Sequence, residues 1–385
     1  MTQMFGSPAS YVQGKDVLFD SIAYLEKFGH KALLMADSVV YQIIGDRFKA
    51  YLDDHHIAVH KVIFRGEASP EEIDRITGIG REFGAEVIIG LGGGKTLDSA
   101  KAIADNLQLP VAILPSLAST DAPCSRLSVI YHADGSFKEY RFYDKNPDLV
   151  LVDTRLVAGA PARLLASGIA DALATNVEAQ AVAKGDNATM LGAKQTLVGN
   201  AIAQKCEDTL FAYGHLALES VKQHAVTPAL NKIVEANTLM SGVGFESGGL
   251  AAAHAIHDGL TALDGPIHEL THGEKVAYGT LTQLFLEGRS EAEFDRYLAF
   301  DLSLGLPTTL ADLKIPDVTD EDLLKVGQQA TAPADTMDRM PFKVTPDDVA
   351  QAMRGVDAYS RAYQARHAKQ LKDSKKLVVG PHKYK

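Results

Sequence analysis

Cysteine is scarce in this chain: Cys124 and Cys206 are the only two in 385 residues, and no C-x-x-C spacing occurs. That excludes a disulfide framework and a thiolate zinc knuckle. An excess of positive charge is also missing, since 38 basic residues against 49 acidic ones leave a formal net charge of -11. A phosphate backbone or an anionic membrane surface is repelled on average, so neither nucleic acid nor a membrane is an expected partner. No apolar run approaches the ~18 residues of a membrane span. Met1 to Val17 has neither a cationic start nor an apolar h-region. A cytoplasmic location is expected. What is present is the balance of a globular protein, 46% hydrophobic and 23% charged. At roughly 150 residues per domain the length favours two domains and leaves room for a third.

From Phe19 to about Val152, helical stretches alternate with short apolar runs at Ala32–Ala36, Ile57–Phe64, Val87–Gly90, Val111–Leu114 and Leu149–Val152. Near-continuous runs of Val, Ile and Leu belong to strands buried on both faces, so the pattern predicts a parallel sheet covered by helices. Ser125–Phe142 departs from that rhythm. It carries two alternating segments around Asp134-Gly135, a pair suited to a type I′ turn, and predicts an inserted antiparallel hairpin.

After Asp153, strand-like runs almost vanish. Pro161–Lys184, Thr189–Thr209, Pro228–Leu260, Gly273–Glu287 and Glu291–Leu304 carry helical spacing. Thr345-Pro346-Asp347-Asp348 has the cap, N1 proline and first-turn acids of a helix start. The expected fold class is α/β plus all-α. A Rossmann-like parallel-sheet domain with its β-hairpin occupies residues 1–160, and an all-helical domain occupies residues 161–371. Lys369–Lys385 contains six lysines, and residues 372–385 read as a basic solvated tail.

The segment from Val87 through Gly92-Gly93-Gly94-Lys95-Thr96 reads as a buried strand, a tight glycine turn and a helix running to Asn106. Residues without Cβ let backbone amides approach an anion, and the positive helix end attracts it. The functional reading is a pyrophosphate cradle; the bland one is a ligand-free turn kept for close packing. Neither a Walker A loop nor G-x-G-x-x-G is matched, because Ile89 and Lys95 stand where glycines are required. Asp37 follows an early strand, where open α/β sheets bind ligands, and a carboxylate there can accept hydrogen bonds from ribose hydroxyls. No Arg or Lys follows in Ser38–Tyr41, which favours NAD over NADP. Asp37 is equally placed to cap the next helix.

Asp171 lies inside the apolar segment Gly168–Ala174, His254 in the small-residue run Gly248–Ile256, and His272 in Thr271-His272-Gly273-Glu274-Lys275. A carboxylate among apolar neighbours costs several kcal/mol unless paired or bound to a cation. One carboxylate and two imidazoles suit Zn²⁺ or Fe²⁺ and leave open positions for substrate. A decoy overlaps this set: His268-Glu269-Leu270-Thr271-His272 matches H-E-x-x-H, with Glu287 downstream as a third candidate ligand. That protease motif needs one continuous helix, whereas Asp264-Gly265-Pro266 and Gly273 predict a loop entering a helix start.

On these residues the chain resembles the glycerol dehydrogenases of the iron-containing (group III) alcohol dehydrogenase superfamily. The likeness rests on Gly92–Asp98, Ala118–Ser125, Ala158–Leu164, Ser241–His254 and His272–Ala277, in collinear order from about Asp37 to Met340-Pro341. It implies an N-terminal NAD-binding domain, a helical metal-binding domain and an active site in the cleft between them. It also implies Asp171, His254 and His272 as ligands of a divalent ion, usually zinc, and Asp121 as the residue that holds the polyol. Asp37, Gly94, Lys95, Ser116, Ser119, Ser125, Leu127 and Tyr131 would contact NAD, with Asp98 nearby, and the assembly would be a homo-octamer. Two departures are visible: Ser116 stands where threonine is usual, and Asn176-Val177 where an aromatic pair is common.

The implied reaction oxidises glycerol or a related vicinal diol. A hydroxyl on the ion loses its proton near neutral pH, and the alkoxide expels hydride to NAD. A relative acting on an anionic substrate would share NAD and metal but needs a cationic pocket, for which Lys145, Arg163 and Lys275 are the candidates. A zinc peptidase and a non-catalytic nucleotide-binding module are the remaining alternatives.

Overall fold

The computed structural model describes residues 2–333 and 335–368, so the basic tail expected at 372–385 lies outside the described residues. Among the described residues eight strands form: β1 (Tyr11–Gly14), β2 (Lys31–Ala36), β3 (Ala58–Ile63), β4 (Val87–Gly92), β5 (Val111–Pro115), β6 (Leu127–Tyr131), β7 (Phe137–Phe142) and β8 (Leu149–Asp153). Six of them make one sheet in the order β1-β8-β5-β4-β2-β3, with every pairing parallel.

Alternate residues of the central strands serve opposite faces. Leu33, Met35, Ile88 and Ile113 enter a core shared with Leu165, Ile169 and Leu173 of the helical half. Ala32, Leu34, Ile89 and Leu114 enter a second core with Phe48 and Leu52. Burial on both sides is why these strands read as unbroken apolar runs. Two expectations need correction. The run Ile57–Phe64 is not buried on both faces: β3 is an edge strand bonded only to β2, and Val62 is its one buried residue. The short β1, with its four half-buried residues, was not foreseen because it contains no apolar run.

The chain passes from β3 across β2 to β4, so the strand order reverses between β2 and β4. A crevice opens outside the carboxyl ends of strands at such a switch point. Asp37 follows β2 and Gly93-Gly94 follow β4, which places both at this crevice.

The hairpin forms as a separate two-stranded sheet, β6 with β7. Its turn is not type I′. Gly135 has a φ of 87°, but Asp134 does not share the positive φ that type I′ needs at both centres. Instead the Gly135 amide donates to the His132 carbonyl and the His132 amide to the Ser136 carbonyl, both at 2.9 Å. That is the three-residue loop of a type I turn closed by a left-handed glycine.

All described regular elements after β8 are helical. Helices Ala162–Lys184, His272–Leu286 and Glu291–Leu304 match expectation closely, and Pro346–Arg366 starts with a complete Thr345–Asp348 capping box. The helix expected at Thr189–Thr209 instead spans Leu197–Lys222, capped by the Thr196 hydroxyl. Pro228–Leu260 is not one helix. It divides into Pro228–Glu235, a π turn at Ala236–Met240, Ser241–Gly248 and, after a break at Gly249 (φ 95°), Ala252–Leu260. No described helix is long and apolar enough to cross a membrane.

Candidate active site

Two glycines set how closely the helices carrying the candidate ligands can approach. A Cβ on Gly168 would stand 1.9 Å from the Ala118 carbonyl oxygen, and one on Gly273 would stand 1.9 Å from that of Ser167. Without side chains there, the Asp171 helix presses against the loop after β5 and against the start of the His272 helix. Asp171 Oδ1 then lies 3.0 Å from His272 Nε2 and 3.4 Å from His254 Nε2. One ligand atom from each of the three residues falls within 4.8 Å of the others.

The chemistry of this trio fits a divalent cation. Asp171 is completely buried, and its Oδ1 has no hydrogen-bond partner among the described residues. A buried carboxylate oxygen left in that state is costly unless a cation satisfies it. Burial by itself raises the Asp171 pKa, but His272 and His254 outweigh it and hold the carboxyl well below its ordinary range. For His254, burial opposes protonation, yet Glu178 and Asp171 prevail and its pKa rises. An ion held there would displace the proton that Glu178 and Asp171 favour on His254.

The break before Ala252–Leu260 leaves that helix without a local side-chain cap. Glu178, two turns along the Asp171 helix, supplies one from outside. Its Oε1 accepts the amides of Ala251 at 2.8 Å and His254 at 3.0 Å. Its Oε2 lies 2.6 Å from His254 Nδ1. A carboxylate on Nδ1 fixes the proton there and turns the Nε2 lone pair toward Asp171.

Asp121 flanks the trio on the Asp171 side, where its amide donates to Asp171 Oδ2 at 3.1 Å. Its carboxylate accepts from the Ser241 hydroxyl at 3.0 Å. Burial, and then the Asp171 charge, push the Asp121 pKa well up. Asp121, His254 and His272 line a cavity of about 220 Å³, with Gly94, Lys95, Asp98 and Thr120 beside them from the sheet half and Phe245, Leu250 and His257 from the helical half; Asp171 lies behind this wall. The hairpin closes it through Leu127, Val129 and Tyr131. Leu127 packs with Met190, Phe245 and Leu250, and the Tyr140 hydroxyl donates to Asp258 Oδ2 at 2.7 Å.

A larger cavity, about 740 Å³, occupies the crevice at the strand switch point and shares Gly94 and Lys95 with the smaller one. Asp37, Gly93, Thr96 and Ser116 line it. Asp37 Oδ1 caps the next helix through the amides of Val39 and Val40, and the residue also lines the cavity. The buried Ser116 Oγ has no partner among the described residues. Lys95 forms an ion pair with Glu67 and stands over the Tyr131 ring. Asp98 is buried and paired with Lys101 at 2.8 Å, and it also accepts the Val129 amide. Ser125 lines the smaller cavity, with its hydroxyl near the Ala122 and Leu127 carbonyls. Ser119 lines neither cavity; its carbonyl receives the Ser167 hydroxyl, and Thr120 takes the wall position.

The H-E-x-x-H decoy dissolves. His268 sits in a separate short turn, Pro266–Glu269, its Nε2 2.7 Å from the Leu263 carbonyl, while Glu269 pairs with Lys314. Glu287 pairs with Arg289 and Lys184 instead of joining the trio. Asn176 turns away from the cavity, and its amide donates to Glu207 at 3.0 Å and to Gln204 at 3.3 Å. The change from an aromatic pair at Asn176-Val177 therefore leaves the described cavity wall untouched.

Sequence reasoning missed Glu178, His257 and Asp258. The signals were present: Glu178 follows Asp171 by seven residues, two helical turns, and His257 follows His254 by three.

A parallel sheet with its crevice at the switch point, joined to a helical half that presents an Asp-His-His trio, defines a two-part oxidoreductase scaffold. The chain belongs to the iron-containing alcohol dehydrogenase family, whose pattern matches residues 8–154. It is 48% identical over 355 residues to the glycerol dehydrogenase of Thermotoga maritima, covering 92% of this chain and 96% of that one. It is 45% identical over 366 residues to the glycolaldehyde reductase of Halobacterium salinarum, covering 95% and 100%. The crystal structure of glycerol dehydrogenase from Schizosaccharomyces pombe superposes with a TM-score of 0.92 at 44% identity, covering 95% of this chain and 93% of that one.

Proposed function

We propose that this protein oxidises glycerol and related vicinal diols, glycerol going to dihydroxyacetone, with NAD as hydride acceptor and a divalent metal, zinc or iron, held by Asp171, His254 and His272. The observation that carries this reading is the orphaned Asp171 Oδ1 beside two imidazoles that line a cavity reaching the glycine turn. A divalent ion there lowers the pKa of a hydroxyl it contacts, which removes the need for a strong base. NAD would be held by residues of the larger cavity, among them Asp37, Gly93, Gly94 and Ser116, and would supply the two-electron acceptor.

The chain's own residues do the rest. Glu178 keeps the proton on His254 Nδ1, so Nε2 is free to ligate. Asp121 holds a terminal hydroxyl, and the hairpin and the Phe245–Leu250 wall exclude water. A neutral substrate suits the lining better than an anionic one. Lys95 is the one lysine or arginine in it, already paired with Glu67, whereas Asp98, Asp121 and Asp258 are all present. Of the cationic candidates, Lys145 pairs with Asp148 and Arg163 with Glu274, and Lys275 is not in the lining.

The proposal also assigns residues 1–160 to cofactor binding and 161–371 to metal binding, and places a homo-octamer in the cytoplasm. Light scattering of the purified protein tests the octamer. The name of the Halobacterium relative favours a second use of the same site, reduction of a small 2-hydroxyaldehyde by NADH. NADH absorbance should be followed with glycerol, 1,2-propanediol and ethanol, before chelation, after it and after zinc or iron is restored. Diol-dependent NADH formation that disappears on chelation and returns with metal is expected. Full activity in the chelated protein would refute the proposal, and NADH consumption with glycolaldehyde would support the second use.

A further inference from the structure

His257 lines the cavity with a ring nitrogen that neither metal binding nor the Asp121 contact uses. His257 stands one helical turn after His254, and its ring packs against His272 with centroids 4.1 Å apart. Its Nδ1 lies 2.9 Å from Asp258 Oδ1, and the other oxygen of that carboxylate receives the Tyr140 hydroxyl at 2.7 Å. An acceptor on Nδ1 puts the ring proton there and leaves Nε2 as a lone pair. Nε2 has no hydrogen-bond partner among the described residues, and His257 lines the 220 Å³ cavity.

The other carboxylates of the lining are already engaged. Asp98 is committed to Lys101 and the Val129 amide, and Asp258 to Tyr140 and His257. Besides the Thr120 and Tyr131 hydroxyls, Asp121 and His257 are left as side-chain acceptors of the lining, the first against Asp171 and the second against His272. Two hydroxyls of a three-carbon polyol are accounted for by the ligand trio and Asp121, and the third needs an acceptor.

We propose that His257 is a specificity residue whose Nε2 accepts a hydrogen bond from the third hydroxyl of a triol, so that the site prefers glycerol to 1,2-propanediol. This rests on the polyol-oxidising reading. His257→Phe keeps a ring of similar shape and removes the acceptor, while His257→Gln offers a side-chain carbonyl in its place. KM and kcat for both alcohols, the dissociation constant of glycerol by ligand-observed NMR, and bound zinc per chain are to be measured.

His257→Phe should raise the glycerol KM and dissociation constant about 10-fold, the loss expected when one buried partner goes unpaired. The 1,2-propanediol KM should stay within about twofold, zinc content should not change, and His257→Gln should restore much of the loss. An unchanged glycerol KM, equal losses on both alcohols, or loss of zinc in His257→Phe would each overturn the assignment. Failure of the unmodified enzyme to oxidise either alcohol would instead overturn the polyol reading beneath it.

Discussion

Glu178 holds His254 at two points, with Oε2 2.6 Å from the ring Nδ1 and Oε1 3.0 Å from the backbone amide. One carboxylate thus orients a ligand and caps the helix that carries it. Partners of this kind typically govern metal affinity 10- to 100-fold. Glu178→Gln keeps an amide acceptor but loses the charge behind the imidazole, so zinc affinity should fall about 10-fold or more in a competition titration with a chromogenic chelator. Wild-type affinity in that variant would show that the contact serves only the helix.

Asp37 combines two roles that substitution can separate. Asp37→Asn retains the cap on Val39 and Val40 and should change stability by no more than about 0.5 kcal/mol. It removes the charge that opposes a 2′-phosphate, so the ratio of kcat/KM for NAD over NADP should drop about 10-fold. Asp37→Ala should lose the same discrimination and also about 1 kcal/mol of cap energy, read by thermal melting. Retained discrimination in both variants would remove Asp37 from the cofactor site.

The hydrogen bond from Asp121 to the trio comes from its backbone amide, which Asp121→Ala preserves. Zinc content should hold while the glycerol KM rises about 10-fold, the pattern of lost ground-state binding. Unaltered kinetic constants would refute the substrate role.

Asp335 lies behind the site, and burial, followed by the nearby Asp258 carboxylate, raises its pKa from 3.8 to about 7. The folded state therefore binds this proton more tightly than the unfolded chain. Its contribution is fully present below the unfolded value near 3.8 and is lost as pH climbs through about 7. Asp335→Asn should flatten that loss by on the order of 2 kcal/mol between pH 5 and 8, measured by denaturant titration across that range. A variant whose stability falls as steeply as the parent's would show that Asp335 does not carry the shift.

Much of the site was legible because its residues violate the pattern around them. Asp171 and His254 are polar groups in apolar helices, and His272 opens a helix directly after its cap. The same reasoning could have reached Glu178, which is completely buried in the Asp171 helix. It was obscured because a lone glutamate in a helix normally reads as solvated. The turn at Asp134-Gly135 and the start of the Leu197 helix were misread for a different reason. Local composition permits several turn types and starts, and here long-range packing of the hairpin and of the 189–196 turn selected among them.

Periodicity and glycine placement were enough to specify a parallel sheet followed by helices, because a strand buried on both faces and a helix buried on one must carry different patterns in the chain itself. Convergence of Asp171, His254 and His272 could be settled only by packing. Their separations in sequence carry no distance information, and the approach depends on Gly168 and Gly273 meeting carbonyls of other elements at a range no side chain allows. The same holds for the service Glu178 gives His254 from another helix: a cap supplied across space leaves no mark at the helix start it completes.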